Sequence, residues 1–203
     1  MRAILTVLAA GLLASCSNQA ARPTSAASAP APNRANPAST NPDGTYKQQD
    51  VLSAAEDVFG RGAKGLADII ERSFKERGEP SAYIVGREGG GAFVVGLRYG
   101  SGTMFHKVEG QQPVFWTGPS VGFDVGADAS RTFILVYNLN DTNDLYKRYP
   151  AGEGKAFFVG GFGATYLQRD DVVLVPIKLG VGVRLGVNAG YLNFTRELKK
   201  VPL

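Results

Sequence analysis

The stretch 172–195 limits the fold of this chain more than any other segment. From Ile177 to Gly190 its aliphatic residues alternate with glycine, lysine, arginine and asparagine. Because the side chains of a strand point alternately to the two faces of a sheet, this pattern predicts β-structure and not a helix. At about 3.3 Å per residue the stretch is too long for one flat strand, and its glycines permit strong bending. We therefore predict two curved strands, or one long bent strand, of a small antiparallel barrel.

Further segments with strand character follow one another closely from residue 82 onward. They are 82–87, 92–99, 103–108, 120–127, 132–138 and 156–164, with glycine-rich or polar turns predicted at 89–91, 100–102, 128–131 and 168–171. Closure into a barrel removes the unpaired edges that an open sheet of this kind would have. The sequence therefore predicts a mainly β fold, a meander of about eight to ten strands closed into a small antiparallel barrel. The segment 140–149 interrupts the pattern and is expected to form a small helix or a lid over one end.

The amino terminus has the features of an export signal. Arg2 precedes an apolar run at 3–13 that is too short to span a bilayer but has the length of a signal core. Residues 13–16 resemble the lipobox of bacterial lipoproteins, and Cys16 is the only cysteine in the chain. We predict signal removal after residue 15 and acylation of Cys16; an ordinary cleavage site with an incidental cysteine is the alternative. Ser17, where an aspartate would favour retention at the inner membrane, favours the outer membrane.

Residues 16–49 have the composition of a flexible tether. Alanine, serine, proline, asparagine and threonine dominate this segment, and it has too few large apolar residues to offset the entropy of ordering. The domain organisation predicted from the sequence is thus a signal peptide at 1–15, a tether at 16–49, and a barrel domain with amino-terminal helices at 50–203.

Two helices are predicted at the start of that domain. Asp50 is expected to cap a short helix that ends at Gly60. The segment 64–77 has a second helical pattern, whose apolar positions recur at i, i+3, i+4 and i+8. These positions are Leu66, Ile69, Ile70 and Phe74. We expect this helix to pack on the barrel, or to plug it, and so to seal it.

Several kinds of chemistry are disfavoured by the composition. The formal charge of +4 is spread along the chain without a basic stripe, so no nucleic-acid partner is expected. The single histidine, His106, is expected to be an outward polar residue, and no second cysteine is present. Histidine-dependent triads, cysteine nucleophiles and zinc sites are therefore not expected. Glu88 and the other candidate carboxylates are assigned to loops, and the glycine runs at 86–91 and 160–163 to hairpins and strands and not to phosphate loops. We predict no catalytic residue, no cofactor and no metal.

One polar set stands out as a possible ligand site or structural cluster. In the segment 121–128, Asp124 and Asp128 share a glycine-rich face. In the stretch 172–195, the glycine-rich face carries Lys178, Arg184 and Asn188. If the two faces look the same way, these carboxylates pair with Lys178 or Arg184 between closely packed strands. The alternative is that both faces meet solvent independently.

Longer motifs resemble a known family. The runs 115–126, 135–139 and 180–191, together with the glycine pair at 160–161, closely resemble the envelope integrity protein A family of Gram-negative bacteria over about residues 62–203. The resemblance implies a small periplasmic β-barrel that is needed for an intact cell envelope, with no known enzymatic activity or cofactor. The lipobox is a departure not expected of every member.

A more distant likeness concerns Trp116, Pro119 and Ser120. Their spacing, after a glycine-rich hairpin, is similar to that of SYLF domains, which bind lipids. From the residues alone, Trp116 is expected at a strand end, filling the barrel mouth, with a lipid or glycan contact as the alternative. We therefore expect a non-enzymatic envelope module, tethered to the outer membrane, whose partner is a lipid, a glycan or an envelope protein. Its rivals are a lipid-carrying module and an enzyme that uses Asp124 with a second carboxylate.

Overall fold

A computed structural model describes residues 44–91, 95–121, 130–180 and 190–198. These residues form two helices, eight strands and one short 3-10 helix. The helices are α1 (Gln48–Phe59) and α2 (Leu66–Arg77), and the 3-10 helix is Thr142–Leu145. The strands are β1 (Ala82–Gly91), β2 (Val95–His106), β3 (Gly110–Val121), β4 (Ser130–Tyr137), β5 (Arg148–Val159), β6 (Phe162–Arg169), β7 (Val172–Leu179) and β8 (Tyr191–Thr195).

The eight described strands close into one antiparallel barrel in the order β1-β2-β3-β8-β5-β6-β7-β4. The predicted mainly β barrel with amino-terminal helices is thereby confirmed. The predicted simple meander is wrong, because β4 pairs with β1 and β7, and β8 pairs with β3 and β5. Two three-stranded meanders, β1–β3 and β5–β7, are thus joined into a closed barrel by β4 on one side and β8 on the other.

Glycines account for two errors in the predicted strands. The turn predicted at 100–102 lies inside β2, which runs unbroken, because Gly100 makes room for the Trp116 ring of β3. The strand predicted at 156–164 is instead a hairpin of β5 and β6, whose turn uses the positive φ angles of Gly160 and Gly161, 56° and 87°. The stretch 172–195 contains β7 and β8, and residues 181–189 between these strands lie outside the described residues.

The barrel interior is a closed hydrophobic core. Alternate residues of the strands point inward, and most of these side chains are fully buried. Its members are Ala82, Ile84, Met104, Val114, Trp116, Ile134, Val136, Leu139, Leu145, Tyr149, Leu167, Val172, Leu174, Leu192 and Phe194. Leu139 and Leu145 belong to the segment between β4 and β5, so the expected small helix over one end is present.

A second core lies outside the barrel wall, under the helices. Leu66, Ile69 and Ile70 of α2 are fully buried against outward residues of β4, β5, β6 and β7, while Phe74 is partly buried. The predicted packing of this helix is confirmed, whereas plugging is wrong because the barrel is filled by its own side chains. Helix α1 contributes the buried side chains of Val51 and Ala55 to the same core.

Two local predictions fail at the edges of these cores. The N-cap residue of α1 is Lys47, whose side chain makes no capping hydrogen bond. Asp50 lies in the first turn, where its negative charge interacts favourably with the helix dipole. His106 is buried, with 3% of its surface exposed. Its Nδ1 accepts the backbone N–H of Glu109 at 3.0 Å, and its Nε2 lies 2.8 Å from the carbonyl oxygen of Leu139. The outward assignment failed because β2 continues inward-facing alternation to its last residue.

Candidate functional site

Glu88 is the centre of a charged cluster inside the barrel. It lies in β1 on the same face as Ala82 and Ile84, and only 7% of its surface is exposed. Its assignment to a loop was wrong because β1 extends to Gly91, through the glycines predicted to form the turn. A carboxylate is therefore buried among apolar residues, where its charge needs partners.

Three side chains from three other strands surround the Glu88 carboxylate. The indole Nε1 of Trp116 donates to Oε2 at 2.8 Å. The ammonium of Lys178 donates to Oε1, and the guanidinium Nη1 of Arg98 lies 3.8 Å from the same oxygen. The cluster therefore ties β1 to β2, β3 and β7 through one carboxylate.

Two glycines make room for the indole in this cluster. A Cβ atom on Gly100 would lie 1.9 Å from Trp116, and one on Gly86 would lie 2.6 Å from the same ring. Both glycines point inward, so the ring rests directly on the backbones of β1 and β2. The fully buried Trp116 is therefore matched in shape by the two strands that face it.

The electrostatics keep Glu88 ionised. Burial alone would raise the pKa of Glu88, but the charges of Lys178 and Arg98, with hydrogen bonds from Lys178 and Trp116, together lower it. Both carboxylate oxygens face donors or cations. This group holds its neighbours and has no proton to give at neutral pH.

The structure brings together only part of the site predicted from the sequence. Trp116 and Lys178 meet inside the barrel, although Trp116 lies in mid-strand and not at a strand end. Pro119 is partly buried and on the opposite parity of β3, facing outward, and Ser120 pairs with Gly96 of β2. Four predicted members lie outside the described residues, as does the predicted lipidation site. These are Asp124, Asp128, Arg184, Asn188 and Cys16.

Glu88 and Arg98 were missed by the sequence reasoning. A signal was present, because Glu88 continues the inward alternation of Ala82, Ile84 and Gly86. The parity of β2 places Arg98 on the face of Gly100 and Met104 in the same way. Because the glycines at 89–91 and 100–102 were assigned to turns, the predicted strands were too short to show this alternation.

Within the described ranges, no three residues of the types His, Cys, Asp and Glu are grouped so that they could hold a metal ion. Neither α1 nor α2 is long and apolar enough to cross a membrane.

The outer surface of the barrel has one wall that the described helices leave bare. It is made of outward residues of β2, β3, β8 and the start of β5, and we call it the bare wall. Its exposed and partly exposed members, with Arg87 at its β1 margin, are Arg87, Leu97, Tyr99, Ser101, Thr103, Pro113, Phe115, Pro119, Arg148, Pro150, Tyr191 and Asn193. Thr117 and Thr195 lie on the same face but are buried. None of these described members carries a carboxylate, and Arg87 and Arg148 are exposed at its two sides.

Comparison with known proteins agrees with this architecture. A β-barrel-like, uncharacterised protein from Brucella abortus, known from a crystal structure, is 43% identical to this chain with a TM-score of 0.73. The match covers 79% of this chain and 99% of that one. No protein with curated annotation matches. The family model of envelope integrity protein A matches residues 44–203, and the chain belongs to the envelope integrity protein A family.

Proposed function

We propose that this chain is a non-enzymatic periplasmic β-barrel that supports envelope integrity by binding an envelope component on its bare wall. Membership of the envelope integrity protein A family supports a role in envelope integrity. The lowered pKa of Glu88 and the contacts of its two oxygens favour binding over catalysis. The exposed residues of the bare wall favour that surface as the place of binding.

The observation that carries the proposal is that Glu88 is fully engaged. A general acid must hold a proton, and a general base needs an oxygen that reaches the substrate. Glu88 has a lowered pKa, and its two oxygens are occupied by Trp116, Lys178 and Arg98. This arrangement supports a structural role for the buried carboxylate and leaves the outer surface for function.

The amino-terminal segment supports a place for the domain in the periplasm. The predicted export signal, acylation of Cys16 and the tether at 16–49 together fit a lipoprotein held at the outer membrane. Such a tether would let the domain move roughly 30 Å from its anchor, by random-coil scaling. Changing Cys16→Ser should leave unprocessed precursor or a soluble product. A mature protein that stays in the aqueous phase of a detergent extract both with and without the change would contradict the anchor.

The binding role is tested by complementation with matched charge removals. A strain that lacks the gene receives wild type, the double variant Arg87→Gln/Arg148→Gln on the bare wall, or the control Arg72→Gln/Lys75→Gln on α2. All four side chains are exposed, so both variants should fold as wild type does. We expect the wall variant alone to lose resistance to detergent at an equal level of folded protein. Full resistance of the wall variant would overturn the proposal.

A further inference from the structure

We propose that the ligand of the bare wall is an acidic glycan strand. This inference rests on the proposed function, because it names the class of envelope component bound at that same surface. It is carried by the register of the wall residues and by their charge.

The register places a polar track between two flanking rows of ring, apolar and cationic side chains. In the central row Tyr99 pairs with Thr117, Thr117 with Asn193, and Asn193 with Arg148, so the row crosses four strands. Thr117 is itself buried, with 1% of its surface exposed, so the side chains of this row that a ligand can reach are those of Tyr99, Asn193 and Arg148. Neighbouring strands are about 4.8 Å apart, close to the length of one pyranose unit, so a sugar chain lying across the strands would meet these three side chains in turn.

The rows on either side supply flat surface. On one side Leu97 pairs with Pro119, and Tyr191 pairs with Pro150. On the other side Ser101 pairs with Phe115. These rings and prolines present apolar faces to the C–H faces of pyranose rings, while the central row offers hydroxyl, amide and guanidinium groups to the sugar hydroxyls.

The charge of the wall selects an acidic strand. Arg87 and Arg148 are exposed, and the described members of the wall include no carboxylate. The Arg148 guanidinium lies 4.2 Å from the centre of the Tyr191 ring, which holds it over the wall. Guanidinium groups bind carboxylates through two parallel hydrogen bonds, so uronate or similar acidic sugars fit better than neutral ones.

Other occupants fit this surface less well. Addition of a strand from a protein partner is disfavoured, because the described strands already pair with one another into a closed barrel. A bilayer contact needs apolar side chains that protrude into the headgroup region. Among the described wall residues, Leu97 is the large apolar side chain with more than a third of its surface exposed, at 42%.

The test uses the mature full-length chain and three defined probes. Polygalacturonate is the acidic glycan, dextran is the neutral control, and vesicles of phosphatidylglycerol and phosphatidylcholine represent an anionic lipid surface. Binding is measured by titration calorimetry at low and at physiological salt. We expect binding to polygalacturonate that weakens with salt and falls at least tenfold in Arg87→Gln/Arg148→Gln, because the exposed ion pairs are screened and then lost. Tyr99→Ala should weaken binding as well, while Arg72→Gln/Lys75→Gln should bind as wild type does.

Several results would overturn the inference. They are equal binding to dextran and polygalacturonate, binding to the vesicles alone, no binding to either glycan, and equal losses in the wall and helix variants. Melting curves of all variants show whether a loss comes from unfolding, and the wild-type titrations decide the ligand class without any variant. If the wall variant loses detergent resistance in cells while wild type binds no glycan, the proposed function stands and this inference fails. If the wall variant keeps detergent resistance, the proposed function fails.

Discussion

The two cores of this protein are built on opposite sides of the same barrel wall, and they are held by different forces. The outer core joins α1 and α2 to the sheet through aliphatic side chains and rings, such as Tyr83, which stacks on Phe105 and Phe133. The inner core is also apolar over most of its length, but it contains the ion cluster of Glu88, Lys178 and Arg98.

The two cores should therefore differ in how much stability a substitution costs. An apolar contact that is removed costs about the transfer energy of the lost atoms and of the cavity. A buried charge that loses its partner costs more, because the remaining charges stay in a low dielectric. The inner cluster should therefore be the most sensitive point of the molecule, and the outer core should lose stability in proportion to the area removed.

The largest effect is expected from Glu88→Gln. The change removes the negative charge that Lys178 and Arg98 share inside the barrel, so the free energy of unfolding should fall by about 3 to 5 kcal/mol. Chemical denaturation followed by the emission of Trp116, the only tryptophan, measures it. The control Glu71→Gln removes an exposed pair with Lys75 and should cost less than about 1 kcal/mol. Equal losses in the two variants would refute the special role of the inner cluster.

The difference in unfolding free energy between wild type and Glu88→Gln should depend on pH. The pKa of folded Glu88 is lowered, so its ionised form stabilises the fold above the unfolded-state value and loses this effect as the pH falls through the folded-state value. The stability difference between wild type and Glu88→Gln should thus be full at pH 7 and shrink below pH 4.5, the ordinary glutamate value. A difference that stays constant down to pH 3 would show that the charge is not the cause.

A smaller effect is expected in the outer core from Ile70→Ala. This side chain of α2 is fully buried, so its truncation should cost about 2 to 4 kcal/mol. Phe74→Ala on the same helix removes a partly buried ring and should cost only about 1 to 2 kcal/mol. Thermal unfolding of the two variants checks the order. A larger loss at Phe74 would mean that the helix buries a different face.

A loss somewhat smaller than that of Ile70→Ala is expected at Gly100→Ala. The added methyl group would lie 1.9 Å from the Trp116 ring, so the ring must shift, at a cost of about 1 to 3 kcal/mol. The shift should weaken the hydrogen bond to Glu88 and move the tryptophan emission to longer wavelength. Ser101→Ala, an exposed neighbour in β2, is the matched control and should leave the spectrum unchanged. An unchanged spectrum for Gly100→Ala would contradict the close packing.

Alternation along the strands made the barrel predictable, but the glycines made its details hard to foresee. The stretch containing Val172–Leu179 was predicted as strand and the amphipathic segment containing α2 as a helix, and the structure has both. Glycines at 89–91 and 100–102 have the composition of turns, yet these residues belong to β1 and β2. At Gly100 the partner strand explains the glycine, because the Trp116 ring of β3 occupies the space that a side chain would need, and at Gly102 the backbone of β1 occupies it. The sequence of one strand alone does not contain that information.

The cluster was only half predictable for the same reason. Lys178 and Trp116 stood out from the sequence, whereas Glu88 followed a glycine-interrupted alternation and was assigned to a loop. The order of the strands, with β4 between β1 and β7, brings β1 and β7 close enough for the ion pair. The pairing depends on strand order and register, which the periodicity of a single strand does not specify.

If Glu88 holds the barrel and takes no part in a reaction, the function of Glu88→Gln should depend only on how much of it is folded. Glu88→Gln is expressed at low temperature in a strain lacking the gene, and detergent resistance is measured together with the amount of folded protein. We predict that resistance follows the folded amount and returns to the wild-type level when the two proteins are equally abundant. A Glu88→Gln protein that is fully folded, equally abundant and without function would contradict the account and would assign chemistry to this carboxylate.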